Sequence, residues 1–447
     1  MVGMRKSPPH RQEQSLAAIR PMNQQIRLSV RQVLAALLAV HLIAALLYCR
    51  GVPLGEGPDE DSHVLFIQTL AGQQPPGTTW RLGLPVLRTD CEDPNFEVHQ
   101  PPLYYVLAQP FYRLGGAPAV RWLSLLASLA MVWLVWRCAR ELAGEDLALA
   151  AAAVVALWPM QAFLAGRINN DTLANALWAA LLWRWARTLR VGASAREGLW
   201  CGLLLGAALL TKQTSLVLVP TAAAVAMAAG WRERSWRAPL GQLGVTLGVA
   251  LVLAGWWFAR NQVVYGDPFA QAAFDERFLT RRMTPQRLAE QFTNHPEWRY
   301  WPYVLDWTLR SGVIYLGMGA KNILPSGVYP LHVALLVAAG IGAGWCLAER
   351  ARRGERDTVL AFALTAAAAA LVLALLYVQF NQKYFQAQGR YFFGLMPLWG
   401  LLLAGGLSRP FGVHSAARRY GLLVAPLWLG FVNLALLAIY VPGLYEH

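Results

Sequence analysis

Three acids and a histidine fall within five residues in Gly57-Pro58-Asp59-Glu60-Asp61-Ser62-His63, between one apolar run and another, Val64 to Leu70. A carboxylate held at such a junction can take a proton from a hydroxyl or bind a cation. A plainer role also fits, in which Asp59 or Asp61 starts the next helix as its N-cap. A further acid closes Arg167-Ile168-Asn169-Asn170-Asp171, where Asp171 could cap a helix beginning at Thr172. Cations stand opposite these acids in unusually apolar settings. Lys occurs only at positions 6, 212, 321 and 383. Lys212 lies in Thr211-Lys212-Gln213-Thr214 between two apolar stretches, where a charge is costly unless it meets an anion or water. Arg260 and Asn261 follow Trp256-Trp257-Phe258-Ala259 and precede the turn Tyr265-Gly266-Asp267-Pro268. Lys383 leads into Gln386-Ala387-Gln388-Gly389-Arg390-Tyr391-Phe392, where Arg390 either snorkels or meets an anion.

A carboxylate beside several cations suits a lipid phosphate or diphosphate. The cations stabilise a departing phosphate while the carboxylate takes the proton of an incoming hydroxyl. No Gly-rich phosphate loop, Ser–His–Asp order or zinc signature competes with this reading. Five Cys at no metal-ligand spacing give neither a zinc site nor a disulfide framework, though Cys49 is a candidate partner for Cys91 in a polar loop.

The elements that must position these residues are membrane helices. Of 447 residues 56% are apolar and 14% charged, which excludes disorder, a coiled coil and a soluble enzyme. The net charge of +14 comes mostly from Arg between apolar runs, the placement of a membrane protein rather than a nucleic-acid binder. Runs at 30–49, 120–136, 147–164, 173–189, 239–259, 327–348, 358–379, 391–407 and 419–441 are long enough to span. The run 198–230 is too long for one span and divides at the Lys212 tetrad. The total is about 11 spans. The expected fold is an all-α polytopic membrane protein whose outer-face loops carry short surface helices.

Alternation of these spans puts every Arg cluster on one side, which the positive-inside tendency makes cytoplasmic. Residues 1–29 are then a basic cytoplasmic segment, 30–441 one catalytic membrane domain and 442–447 a short outer tail. Long outer segments fall at about 50–119 and 260–326, and shorter ones near 165–172 and 380–390. The acids and the Lys212, Lys321 and Lys383 ammoniums all face outward.

In this arrangement the sequence resembles the GT-C superfamily of polytopic glycosyltransferases, the type of the protein O-mannosyltransferases and lipid A aminoarabinose transferases. Pro58-Asp59-Glu60 through His63 resembles the Asp-Glu motif after the first span, and His99-Gln100-Pro101-Pro102-Leu103-Tyr104-Tyr105 the segment closing the first outer loop. Asn170-Asp171 matches the second-loop Asp, and Leu210-Thr211-Lys212 with Pro220 the Leu-Thr-Lys turn. Trp257-x-x-Arg260-Asn261 with Tyr265-Gly266-Asp267-Pro268, and Gln388-Gly389-Arg390-Tyr391 with Pro397, complete it. The pieces span roughly residues 30–400 in order.

The resemblance implies a sugar donor carried on a polyprenyl phosphate, a hydroxyl acceptor and inversion by direct displacement at the outer face of the plasma membrane. It implies Asp59 as base, Glu60 as its neighbour or support and Asp171 as second acid. Lys212, Arg260, Lys321, Lys383 and Arg390 become candidates for the donor phosphate. His63, His99, Gln100, Asn170, Asn261, Gln388 and Tyr391 become candidates for the rest of the substrate. No cofactor and no metal site are assigned, although Asp61 and His63 leave room for a divalent metal. The absence of a Trp-Trp-Asp run, Phe258 following Trp256-Trp257, argues against the oligosaccharyltransferase branch. The contending class is a transporter or flippase of a lipid-linked anion, against which the uncharged span interiors and the lack of internal repeats argue.

The layout makes a direct prediction. In a cysteine-free background, Asn95→Cys and Asn294→Cys should react with an impermeant thiol reagent added outside, and Ser235→Cys should not. Labelling of Ser235→Cys from outside would overturn the orientation.

Overall fold

The structure, a computed structural model, describes residues 29–88, 96–291, 296–314, 324–325, 327–354, 356–412 and 415–441. Lys321, Cys91, the basic N-terminal segment before residue 29 and the tail after 441 lie outside them. The chain is built almost wholly of helices, with one two-stranded antiparallel hairpin, Trp80–Arg81 with Leu84–Pro85.

Each apolar run becomes a helix. They are α1 (Val30–Gly51), α3 (Leu103–Leu142), α4 (Glu145–Ala156) bent into α5 (Pro159–Ala165), and α6 (Asp171–Val191). After them come α7 (Ala195–Leu209), α8 (Leu218–Glu233), α9 (Arg237–Tyr265), α13 (Val328–Arg352), α14 (Thr358–Asn381), α15 (Met396–Ser408) and α16 (Arg418–Ala435). Among the described residues eight helices are long and apolar enough to cross a membrane, nine if α4 and α5 form one bent span. Two expected spans fall outside that number. The helix α6 carries Asp171, Arg184, Arg187 and Arg190, and α7 has 15 residues. Both nonetheless run from one end of the bundle to the other. At one end Asp171 and Leu210 meet the site described below. At the other Arg190 donates to Glu141 and Ser194 N donates to Gln242 Oε1.

Large side chains remain exposed along the bundle's flanks, among them Leu251, Val252, Ile341, Leu371 and Leu427. A surface so apolar suits lipid rather than water. Inside, small residues bring helices together. Gly198, Gly202 and Gly206 recur every fourth position on α7, and a Cβ at the first two would stand 2.8 Å from the Gln242 and Thr246 carbonyl oxygens of α9. That close backbone approach is the small-residue packing of membrane helices.

The long segments between spans fold as short helices against the bundle: α2 (Glu60–Leu70), α10 (Gln271–Arg277), α11 (Pro285–Gln291) and α12 (Tyr300–Val313). The Pro-rich stretch 103–114 forms the first part of α3, separated from the rest by a break at Gly115 and Gly116. A buried carboxylate fixes the first of these segments. Glu60, fully buried, accepts from the N–H groups of Gly55 (3.0 Å), Gly57 (3.3 Å) and Ile168 (2.8 Å). Arg121 Nε and Nη2 reach its two oxygens, each at 3.2 Å, and Arg167 Nη1 lies 3.6 Å away. Both arginines also donate to the Pro53 carbonyl, so the turn after α1 is held against α3 and the α5–α6 connection.

Removing one partner of such a network leaves an uncompensated buried charge, which costs roughly 3–5 kcal/mol. Arg121→Ala should therefore lower thermal stability in detergent by that order, and Glu60→Gln should be damaging in the same assay. A loss for Arg121→Ala below about 1 kcal/mol, the scale of an exposed pair, would refute this role for Glu60.

Candidate active site

Four chain segments bring their ends to one place. Asp59 heads α2, Asp171 is the first residue of α6, Lys212 follows α7 and Arg390 lies in the single turn, Gly389–Leu395, that opens α15. Arg390 donates from Nη1 to Asp171 Oδ2 at 2.7 Å and from Nη2 to Asp59 Oδ2 at 3.0 Å. Lys212 donates to the other oxygen of Asp171, and to Asn170 Oδ1 at 3.3 Å. The Tyr391 ring lies under both cations, 5.9 Å from Lys212 Nζ and 5.5 Å from the Arg390 guanidinium carbon. Two cations thus face two carboxylates.

Asp59 stands at the N-cap position of α2, but neither acid caps a helix with its side chain. Asp59 makes no capping bond, and at α6 it is Asn169 Oδ1 that accepts from Thr172 N, at 3.1 Å. Asp59 instead takes a left-handed φ of +57°, a conformation that costs an L-residue roughly 1–2 kcal/mol and that Asp tolerates better than most. Its side chain is 45% exposed, that of Asp171 5%. Asp59 faces a cavity of about 750 Å³, and Asp171 stands behind Arg390, outside the lining. Lys212, Arg390, Asn170 and Tyr391 share the polar end of that cavity. Its other walls are mostly aromatic and aliphatic, from Phe274, Phe278, Tyr303, Leu373, Tyr377 and Phe380.

The remaining sequence candidates divide. His63, His99 and Gln100 line the cavity, and so does Lys383, which is paired with Asp275 Oδ2 at 2.6 Å. Gln388 accepts from Arg390 Nε and steadies it from behind. Glu60 belongs to the buried network and is absent from the cavity wall, so its place is structural support beneath Asp59. Arg260 and Asn261 also lie off the cavity. Arg260 Nη2 donates to the carbonyls of Arg81 (3.3 Å), Leu84 (3.3 Å) and Pro85 (3.0 Å), its Nη1 to Asn261 Oδ1 at 3.2 Å. Asn261 Nδ2 donates in turn to the Pro268 carbonyl at 3.3 Å. The pair ties the 80–85 hairpin and the turn after α9 to that helix. The hairpin carbonyls hold Arg260 Nη2 and Asn261 holds Nη1.

Asp61 and His63 do not converge on a metal. The Asp61 carboxylate lies against Gly55, and His63 Nδ1 meets Tyr105 Oη at 2.9 Å. Among the described residues no three His, Cys, Asp or Glu side chains are grouped to hold a metal ion.

One lining acid escaped the sequence reading. Glu97, in the turn Phe96–His99, accepts from Tyr105 Oη at 3.3 Å and lies 3.7 Å from His63 Nδ1. Burial pushes the Glu97 carboxyl up, with His63 opposing, and pulls the His63 imidazole down, with Glu97 opposing. Its only sequence signal was a position two residues before His99-Gln100-Pro101-Pro102.

The comparisons with known proteins follow this geometry. Residues 99–258 match the family model described as dolichyl-phosphate-mannose-protein mannosyltransferase. A search of curated proteins finds no significant match. Among solved structures the chain is similar to ArnT from Cupriavidus metallidurans bound to undecaprenyl phosphate. The identity is 16%, covering 90% of this chain and 70% of that one, with a TM-score of 0.52. The Archaeoglobus fulgidus oligosaccharyltransferase in complex with Zn and sulfate also matches, at 14% identity and a TM-score of 0.48. That match covers 90% of this chain, which spans about half, 52%, of the archaeal protein. The chain shares its fold with ArnT.

Arg260 gives this section its prediction. Charge-assisted hydrogen bonds of this kind are worth roughly 1.5–3 kcal/mol. Arg260→Ala should lose stability on that scale in a thermal unfolding assay, while its affinity for undecaprenyl phosphate stays at the parent value. A fall in that affinity with unchanged stability would return Arg260 to the phosphate site.

Proposed function

We propose that this GT-C-type glycosyltransferase moves a sugar from a polyprenyl-phosphate donor to a hydroxyl acceptor, by inverting displacement, at the outer face of the plasma membrane. The observation that carries the proposal is the Arg390 guanidinium spanning Asp59 and Asp171 beside Lys212, at the polar end of a largely apolar cavity. The lipid chain finds apolar wall and the phosphate finds two cations. Asp59, the acid exposed to the cavity, accepts the acceptor's proton as its oxygen attacks the anomeric carbon. The bond from that carbon to the phosphate oxygen breaks, and the electron pair leaves on the lipid phosphate. Lys212 and Arg390 stabilise the charge gathering there. Asp171 holds both cations in place without touching substrate. The match over residues 99–258 and the fold shared with ArnT support this reading, since those descriptions name a lipid-linked donor and undecaprenyl phosphate for the proteins they describe.

The test mixes purified protein with a polyprenyl-phosphate hexose and membrane lipids and follows release of free polyprenyl phosphate. Asp59→Asn keeps the shape of the side chain but cannot take a proton at neutral pH. Loss of a general base typically costs about 10²–10⁴-fold in rate. The variant should fold, bind donor and turn over at or below about a hundredth of the parent rate. Near-parent turnover would move the base elsewhere. A parent protein that releases no polyprenyl phosphate, yet carries the lipid-linked sugar across vesicle membranes, would establish the transporter reading instead.

A further inference from the structure

Beside the cation end, the cavity has a wall of different chemistry, made by the start of α2 and the turn Phe96–His99 with the residue after it. His63, Glu97 and Gln100 line it. The donors that meet one another there are the Tyr105 hydroxyl, His63 Nδ1 and one amide N–H of Gln100. Tyr105 has one hydroxyl proton and gives it to Glu97 Oε2 at 3.3 Å, while Asn170 Nδ2 donates to the same hydroxyl at 3.4 Å. With that proton on the Glu97 side, His63 Nδ1, 2.9 Å from the same oxygen, is the protonated nitrogen of its ring. In the neutral imidazole this leaves Nε2 as an acceptor, and it has no partner among the described residues. Gln100 spends one of its two amide N–H groups on His99 Nε2 at 3.3 Å, and its Oε1 is buried with no partner among the described residues. Glu97 has Oε2 in use and Oε1 without a hydrogen bond among the described residues. Three acceptors on one wall are thus without a hydrogen-bond partner among the described residues.

A phosphate cannot satisfy them, because its oxygens are acceptors too. A polyol can, since each hydroxyl donates one hydrogen bond. We infer that the wall formed by His63, Glu97 and Gln100 is the sugar subsite of the donor, selecting a hydroxyl-bearing ring by presenting unfilled acceptors while Lys212 and Arg390 hold the phosphate. This rests on the donor reading above and divides the cavity by chemistry. Tyr105 is a positioning residue within it: its hydroxyl accepts from His63 and Asn170 and donates to Glu97, which fixes the His63 tautomer and aims Nε2 as acceptor. Asn170 carries the same network on to Lys212, so the sugar wall and the phosphate end are set relative to each other.

The experiment compares two probes on the full-length protein in detergent: undecaprenyl phosphate, which lacks a sugar, and an undecaprenyl-phosphate hexose. One neutral hydrogen bond is worth about three- to tenfold in affinity. Gln100→Ala, on a half-buried connection, and His63→Asn should each weaken the hexosyl lipid by that factor and leave undecaprenyl phosphate unchanged. Lys212→Ala should weaken both probes together. Equal losses on both probes for Gln100→Ala, or none on either, overturn the subsite whether or not His63→Asn folds. If instead Lys212→Ala leaves both affinities intact, the phosphate assignment fails, an outcome separate from the first. Tyr105→Phe keeps the ring and removes the hydroxyl. It should reproduce the selective loss together with a lower thermal stability, since it leaves buried partners of the hydroxyl unpaired, and a stability loss without selectivity would make the hydroxyl merely structural.

Discussion

The contact on which the site depends is the Arg390 guanidinium shared between Asp59 and Asp171. It joins the start of the first long segment, the head of α6 and the short helix that opens α15, three pieces far apart in the chain. A charge buried this completely costs several kcal/mol unless it is paired. The bundle therefore cannot close around Arg390 without delivering both carboxylates to it. Lys212 repeats the logic from the turn after α7, using the second oxygen of Asp171. Each partner is tied to a different helix, so the four charges hold the helix ends in one arrangement as well as preparing a surface for an anion. Structural and chemical roles here are the same set of ion pairs.

Lipid is what made much of this legible in the sequence. When a helix interior must be apolar, each polar residue at its end stands out, and Asp59, Asp171, Lys212 and Arg390 were found that way. All the expected spans became helices, and the division of the 198–230 run at the Lys212 tetrad matches the break between α7 and α8. Helix ends that sequence alternation assigned to one side do meet in space. What the sequence could not give was the partner of each charge. Arg260 looked like a phosphate ligand because it ends an apolar helix beside Trp257. Its donors are instead taken by carbonyls of a hairpin about 175 residues earlier, whose turn has no apolar period to announce it. Glu97 was hidden for the opposite reason. In a polar loop one more acid looks solvated, and only the packing of α3 against α2 shows that it is buried with His63 and Tyr105.

Asp59 and Glu60 carry the argument to its finest scale. Adjacent in sequence and alike in chemistry, they resemble one motif with interchangeable members. One backbone angle separates them. With φ at +57°, Asp59 turns outward at the head of α2 and stands 45% exposed at the cavity. Glu60 turns inward, is fully buried, and collects five hydrogen bonds from Gly55, Gly57, Ile168 and Arg121. The left-handed residue is a strained one, and strain of that size persists only where its surroundings over-determine it. The Glu60 network is that surrounding: it fixes both neighbours of the turn, so that Asp59 has one direction left in which to point. A buried acid that touches no cavity thereby sets the aim of the exposed acid beside it. The pair divides into a buried anchor and an acid exposed to the cavity, and the order of the two residues decides which is which.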